Sequence, residues 1–277
     1  MPHLFRFVLV AGGLLLTTAV TAQRRNVADA VLVPEAQVEL ALKGDDYLLG
    51  GVNLVAATNS GGSTFAAGQL RLGYEHFWSK QWSGGATLRV SAAGEGYGDV
   101  LGLVGNFIPG LLLRHTSKLG SFNFGQRLGV ENAMTISGDG SSNPDRVLAR
   151  LRLDLERLLP VSEKLILRPR LAYETAAYLR FQRDEDQPKE RVLDFGSLRA
   201  ELGLRVSPQI DFTPYMAWQT SYINALPQYM DDPNGNRVQT GGGRTNTVVP
   251  VVGLDLRFTL LPKQGVGNER RQLPTQH

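Results

Sequence analysis

An alternation of apolar and charged residues with period two, repeated along the whole chain, constrains the fold more than any other feature. "GQLRLGYEHFW" sets Leu70, Leu72 and Tyr74 against Gln69, Arg71 and Glu75. "SFNFGQRLGVEN" sets Phe122, Phe124, Leu128 and Val130 against Asn123, Arg127 and Glu131. "SLRAELGLRV" and "VVGLDLRFTL" repeat the pattern, with Arg199, Glu201 and Arg205 on one charged face and Asp255 and Arg257 on another. Successive side chains of a strand point to opposite faces, so such segments are two-faced strands.

One stretch, "ARLRLDLERLLP", fits two templates. As a helix it offers an apolar stripe of Leu151, Leu155, Leu158 and Leu159, with Arg150/Asp154 and Arg152/Glu156 spaced for ion pairs. As a strand it puts Val147, Ala149, Leu151, Leu153 and Leu155 on one face and Arg150, Arg152, Asp154 and Glu156 on the other. The neighbouring segments decide. "KLILRPRLAYET" keeps the same alternation, Leu171 and Tyr173 against Arg168, Arg170 and Glu174, and carries Pro169 in its middle, where a helix would break. Residues 149–159 are therefore read as a strand.

The opening "MPHLFRFVLVAGGLLLTTAVTA" has a basic residue, a short apolar core and small residues at Val20 and Ala22. That is the pattern of a secretory leader cleaved after Ala22, and the apolar core is too short for an anchor. The expected organisation is a leader over 1–22, one β domain over 23–260 and a polar tail over 261–277. Cysteine is absent, which excludes disulfides, thiol catalysis and thiolate metal sites. Lys and Arg number 29 against 26 Asp and Glu, and the leader removes Arg6, so the mature charge is close to balanced and points to no nucleic-acid partner.

Short polar links ("SKQW", "HTSKLG", "LPVSEK", "VSPQ") alternate with longer Gly-, Asn- and Asp-rich stretches: Ser137 to Asp145, Arg183 to Glu190 and Ala225 to Thr245. Long strands with tight turns at one end and long loops at the other suit an antiparallel up-and-down transmembrane barrel. Period alone does not separate this from a soluble barrel. The leader, the mixed Arg and carboxylate rows, and aromatics near strand ends favour the membrane. Phe77, Trp78 and Trp82 flank one tight turn, and Trp218 and Tyr222 precede the longest loop, as a girdle at the bilayer interface would. A secreted soluble β protein is the competing reading.

The segments "LRLDLERLLPVSEKLILRPRLAYE" and "FGSLRAELGLRVSPQIDFTPYMAWQTSY" resemble Gram-negative outer-membrane β-barrels and, more loosely, a barrel family classed as a domain of unknown function. The resemblance lies in pattern, over about residues 35 to 260. It implies an outer-membrane location, with bilayer lipid and the barrel-assembly machinery as partners; it does not imply an activity. About 10–12 strands are expected, with a twelfth in Asn26 to Val33 if the N-terminus is periplasmic, or ten if "PEAQVELALKG" lies outside the barrel. Pro109, Pro169, Pro214 and Pro250 fall within strands on the apolar side, for which bulges near the barrel rims are expected.

Catalytic patterns are missing. His76 and His115 sit beside tight turns on the apolar face, and His277 ends the tail. No nucleophile elbow, His-Glu-x-x-His pair or phosphate loop occurs, so the chain is read as a non-enzyme without a cofactor. Two oxygen-rich spacings, from Asp139 to Asp145 and from Asp232 to Asn236, lack the closing Glu of a calcium loop and are read as turns without metal. The candidate functional residues are the charges expected to line the lumen: Arg150, Arg152, Asp154, Glu156, Arg168, Arg170, Glu174, Arg199, Glu201 and Arg205. They can plug the barrel by mutual neutralisation or line a narrow, slightly anion-favouring pore. A surface module that binds a partner through the long loops is the remaining alternative.

Overall fold

The period-two segments form strands, and the strands close on themselves. The computed structural model describes residues 24–42, 46–59, 62–93, 107–134, 146–162, 165–179, 193–207, 209–231, 233 and 236–260. Thirteen strands follow in chain order: β1 (Arg24–Val27), β2 (Val31–Ala41), β3 (Tyr47–Asn59), β4 (Gly62–Phe77), β5 (Trp82–Ala93), β6 (Phe107–Leu119), β7 (Phe122–Ala133), β8 (Arg146–Glu156), β9 (Leu159–Pro160), β10 (Ile166–Leu179), β11 (Phe195–Ser207), β12 (Ile210–Asp231) and β13 (Arg237–Leu260). From β2 to β13 successive staves pair antiparallel, β8 and β9 both lying against β10, and β13 pairs with β2 to close an eleven-strand barrel. The leader, the tail, Ser137 to Asp145 and Arg183 to Glu190 lie outside the described residues.

The stave count is neither of the two expected. β1 and β2 lie along the same edge of β13, Val27 opposite Val248 and Val31 opposite Val251, so together they are one interrupted stave. "PEAQVELALKG" belongs to the barrel, and Asn26 to Val33 adds no separate up-strand. Eleven staves are joined by ten antiparallel steps, an even number that leaves the first and last staves running the same way, so the seam is parallel. Arg24 therefore lies at the end of the long connections and Leu260 at the end of the tight turns. A second correction concerns Ala225 to Thr245. Most of it continues the β12–β13 ladder through Met230↔Val238 and Asp231↔Arg237, so the hairpin extends past the other staves.

Pro109, Pro169 and Pro214 sit in running register and not at bulges, whereas across Pro250 the register of β13 shifts by one residue, from Val27↔Val248 to Val31↔Val251. Arg157 falls opposite Pro169 and donates its N–H to the Pro169 carbonyl at 3.1 Å, but Pro169 has no N–H to return. The ladder lapses there and resumes at Leu167↔Leu159 without a shift. Pro109 and Pro214 behave alike: pairing breaks between Gly110↔Glu131 and Phe107↔Met134, and between Glu201↔Tyr215 and Leu204↔Phe212. Pro250 faces the break between β1 and β2. Each proline removes one donor on one side of its strand, and the other side keeps its partner.

Side-chain parity gives the barrel two faces. On β2 the burial alternates strictly: Val31, Val33, Glu35, Gln37, Glu39 and Ala41 are buried, and Leu32, Pro34, Ala36, Val38 and Leu40 are exposed. The same division holds on β8, where Arg150, Arg152 and Glu156 are buried and Leu151, Leu153 and Leu155 are exposed. More than half of the described residues shielded from the surroundings are polar or charged, and the large apolar residues presented to them are mostly Leu and Val.

Candidate functional site: the charged lumen

The interior is layered. At the tight-turn end Ala41, Tyr47, Leu49 and Phe77 form an apolar floor, with the Tyr47 and Phe77 rings edge to face at 6.1 Å. At the other end Val31, Val33, Val55, Val249 and Val251 line one side, and Ile108, Leu148 and Tyr178 the other. Between these lie the charges.

All ten lumen residues expected from the sequence point inward. Arg150 reaches Glu131 at 2.6 Å and Glu174 at 3.0 Å. Arg152 reaches Glu201 at 3.1 Å. Glu156 binds Arg168 at 3.0 Å and also Arg170, whose guanidinium contacts Glu201 at 3.4 Å and approaches Asp154 to 3.9 Å. Arg199 binds Asp255 at 2.7 Å and lies 3.5 Å from Glu201; Arg205 lies 3.5 Å from Asp211. Asp154 and Arg205 are only half-buried, and the others are buried.

The network is wider than this set. Glu35–Arg71 (3.2 Å), Glu75–Arg114 (3.1 Å), Glu39–Arg257 (3.1 Å) and Arg89–Glu131 extend it round the wall. Many of these pairs skip a stave: Glu35–Arg71 passes over β3, Glu75–Arg114 over β5, Arg127–Glu174 over β8, Arg152–Glu201 over β10 and Arg199–Asp255 over β12. Arginine has the reach and the planar fork for such bridges, which a lysine point charge would make less well. The added members share the odd or even parity already visible on their strands. That parity marks them as inward-facing in the same way as the charges of residues 150–205.

Close packing tightens the interior further. The Arg199 guanidinium stacks on the Tyr215 ring, 3.3 Å from its centroid. Tyr215 lies flat over Gly253, where a Cβ would come within 2.0 Å of the ring, so only glycine leaves room for it. A cavity of about 100 Å³ remains beside Arg89, Arg127, Arg150 and Arg152.

The outer face at the tight-turn end carries Trp78 and Trp82, both exposed, with the His115 ring 4.4 Å from Trp82 and the His76 ring 5.9 Å from Trp78. Gly84 lies beneath Trp78, and a Cβ there would come within 2.5 Å of the indole. Tyr74 donates to Asp46 Oδ2 at 2.6 Å and His76 Nδ1 lies 2.8 Å from Oδ1, holding the Asp46 carboxyl below its ordinary range. Trp218 and Tyr222 also face outward, nearer the opposite end. Phe77 is corrected: it shares the inward parity of Arg71 and Glu75 and belongs to the floor of the lumen, not to the outer girdle. Among the described residues no acidic or histidine cluster could hold a metal ion.

No protein-family model and no curated protein matches the chain, so the looser resemblance to a domain of unknown function finds no counterpart. Among solved structures the chain is similar to one titled "NanC porin structure in rhombohedral crystal form", at 11% identity over 79% of this chain and 94% of that one, with a TM-score of 0.39.

Proposed function

We propose that this protein is a Gram-negative outer-membrane β-barrel, exported on a leader cleaved after Ala22, whose lumen is held shut by its own ion pairs. Its role is then structural rather than catalytic. The supporting observation is the inverted distribution of polarity. Leu70, Leu72, Leu151, Leu171, Leu198, Val252 and Leu254 face outward and are 37–52% exposed, whereas Glu39 and Glu75 inside are fully buried. In water that wall would be an apolar patch running round the molecule, far beyond what soluble monomers carry. In a bilayer it is the lipid-facing band, and the Trp78/Trp82 and Trp218/Tyr222 levels fit the two interfaces. Bilayer lipid and the barrel-assembly machinery are its proposed partners.

A small-solute channel is the second reading, and the cavity among the arginines supports it. Tight turns in the periplasm would put the β12–β13 extension and residue 24 outside and Leu260 inside. Single cysteines at Asn236 and Ser121 test this in a chain without native cysteine. Outer-membrane fractionation with labelling of intact cells at Asn236 alone is expected. A soluble protein, or labelling at Ser121 alone, would overturn the location or the orientation.

A further inference from the structure

Within the lumen the charges are not evenly matched. In the tight-turn half, Glu39 serves Arg257, Glu75 serves Arg114 and Glu156 serves Arg168 and Arg170. Around the cavity three carboxylates are shared among four guanidiniums, and one of them, Glu201, which reaches Arg152 at 3.1 Å, also contacts Arg170 and Arg199. Glu131 accepts from Arg89 and Arg150; Glu174 accepts from Arg127 at 2.9 Å and Arg150 at 3.0 Å and lies 4.0 Å from Arg152. Strand register sharpens the imbalance by setting like charges directly opposite. Arg127 faces Arg114 on one side and Arg152 on the other, and Arg89 faces Arg71. Facing like charges destabilise a sheet, and a wall shielded from water screens them little.

We propose that this cavity binds a small oxyanion, a phosphate or a carboxylate of few carbons, between Arg89, Arg127, Arg150 and Arg152. The proposal goes beyond the closed-barrel reading and needs from it only that the cavity is interior. An anion there places negative charge between guanidiniums that otherwise repel, and guanidinium forks match the oxygens of phosphate and carboxylate. Volume sets the size. About 100 Å³ is below the 150 Å³ or so that accepts benzene, enough for one tetrahedral oxyanion or a short carboxylic acid. Val33, Val55, Ala217 and Val251 add an apolar portion to the lining, where any short carbon tail would lie while the ligand's charged end meets the arginines.

The test is thermal unfolding of the purified, folded full-length barrel in detergent micelles, titrated with inorganic phosphate, with acetate, and with sodium chloride at equal ionic strength. Ligand binding to the folded state raises the midpoint continuously, as the logarithm of concentration above the Kd, whereas screening does not distinguish the salts. The expected result is a rise with phosphate or acetate beyond that with chloride, phosphate against acetate deciding the preferred oxyanion. Arg127→Lys, which keeps the charge and loses the fork, is expected to weaken the affinity about tenfold. Arg257→Gln, in the other half, lowers the starting midpoint and keeps the response. Equal response to all three salts, or a phosphate response unchanged in Arg127→Lys, would overturn the proposal. A protein found outside the membrane fraction but still answering phosphate in this way would refute the location and leave the anion site standing.

Discussion

The two faces of β8 are built from the same strand and obey opposite rules. Leu151, Leu153 and Leu155 are exposed on its outside, and Arg150, Arg152 and Glu156 are buried on its inside. In a water-soluble protein the first set would be the core. Here the charged set is the core, and its cohesion comes from guanidinium–carboxylate geometry rather than from apolar burial. Position relative to the wall, not residue type, therefore fixes what a substitution costs.

The contrast breaks hardest on the inner face. Glu201 holds Arg152, Arg170 and Arg199 within 3.1, 3.4 and 3.5 Å, so Glu201→Gln leaves three buried guanidiniums short of a partner. A loss of about 3–5 kcal/mol is expected, as for a broken buried ion pair. Urea unfolding of the barrel in micelles measures it, and a loss no larger than that of a surface pair would contradict a dry lumen. On the outer face, Leu153→Arg places a charge against lipid and is expected to cost about 2–4 kcal/mol near the midplane. Tolerance of this change, by heat-modified migration and by yield in the membrane fraction, would remove the lipid face from the account.

The smallest effect belongs to the rim. Tyr74 and His76 hold the Asp46 carboxyl below its ordinary range, so the folded state favours the charged form. The stability this contributes is present above the unfolded value, near pH 4, and is lost as the pH falls through the lower folded value. Asp46 is partly solvated, so less than about 1 kcal/mol is at stake. Asp46→Asn should flatten that part of the acid limb in a pH series of melting curves and leave the neutral region nearly unchanged.

Much of this was legible in the sequence because parity is local. Once the adjoining segments fix the period at two, Arg150, Arg152 and Glu156 fall on one side without any knowledge of which strands pair. The strand count was not legible, because it depends on the pairing of Val31 with Val251, at opposite ends of the chain. A two-part stave and a parallel seam leave no mark on periodicity. Composition misled at Ala225 to Thr245, where Gly and Asn suggested a loop but β12 and β13 carry their ladder outward. Phe77 was misplaced by its nearness to a turn, although its parity with Glu75 already put it inside. Pro109, Pro169 and Pro214 looked like breaks in register because the sequence cannot show which neighbour loses the donor; only at Pro250, among the four, does the register shift. The pairing partners of the lumen charges were hidden too, since pairs such as Arg152–Glu201 skip a stave and answer to curvature rather than spacing.

The central claim is that ion pairs close this lumen, and conductance across a planar bilayer tests it most directly. Reconstituted wild-type barrel and the Arg168→Gln/Arg170→Gln variant are compared, since these two arginines share Glu156 and reach Asp211 and Glu201. A closed lumen predicts no stable single-channel current from either protein, together with a marked loss of heat resistance in the variant. A steady wild-type current whose anion preference shifts towards cations in the variant, with stability little changed, would show a water-filled pore instead and contradict the account.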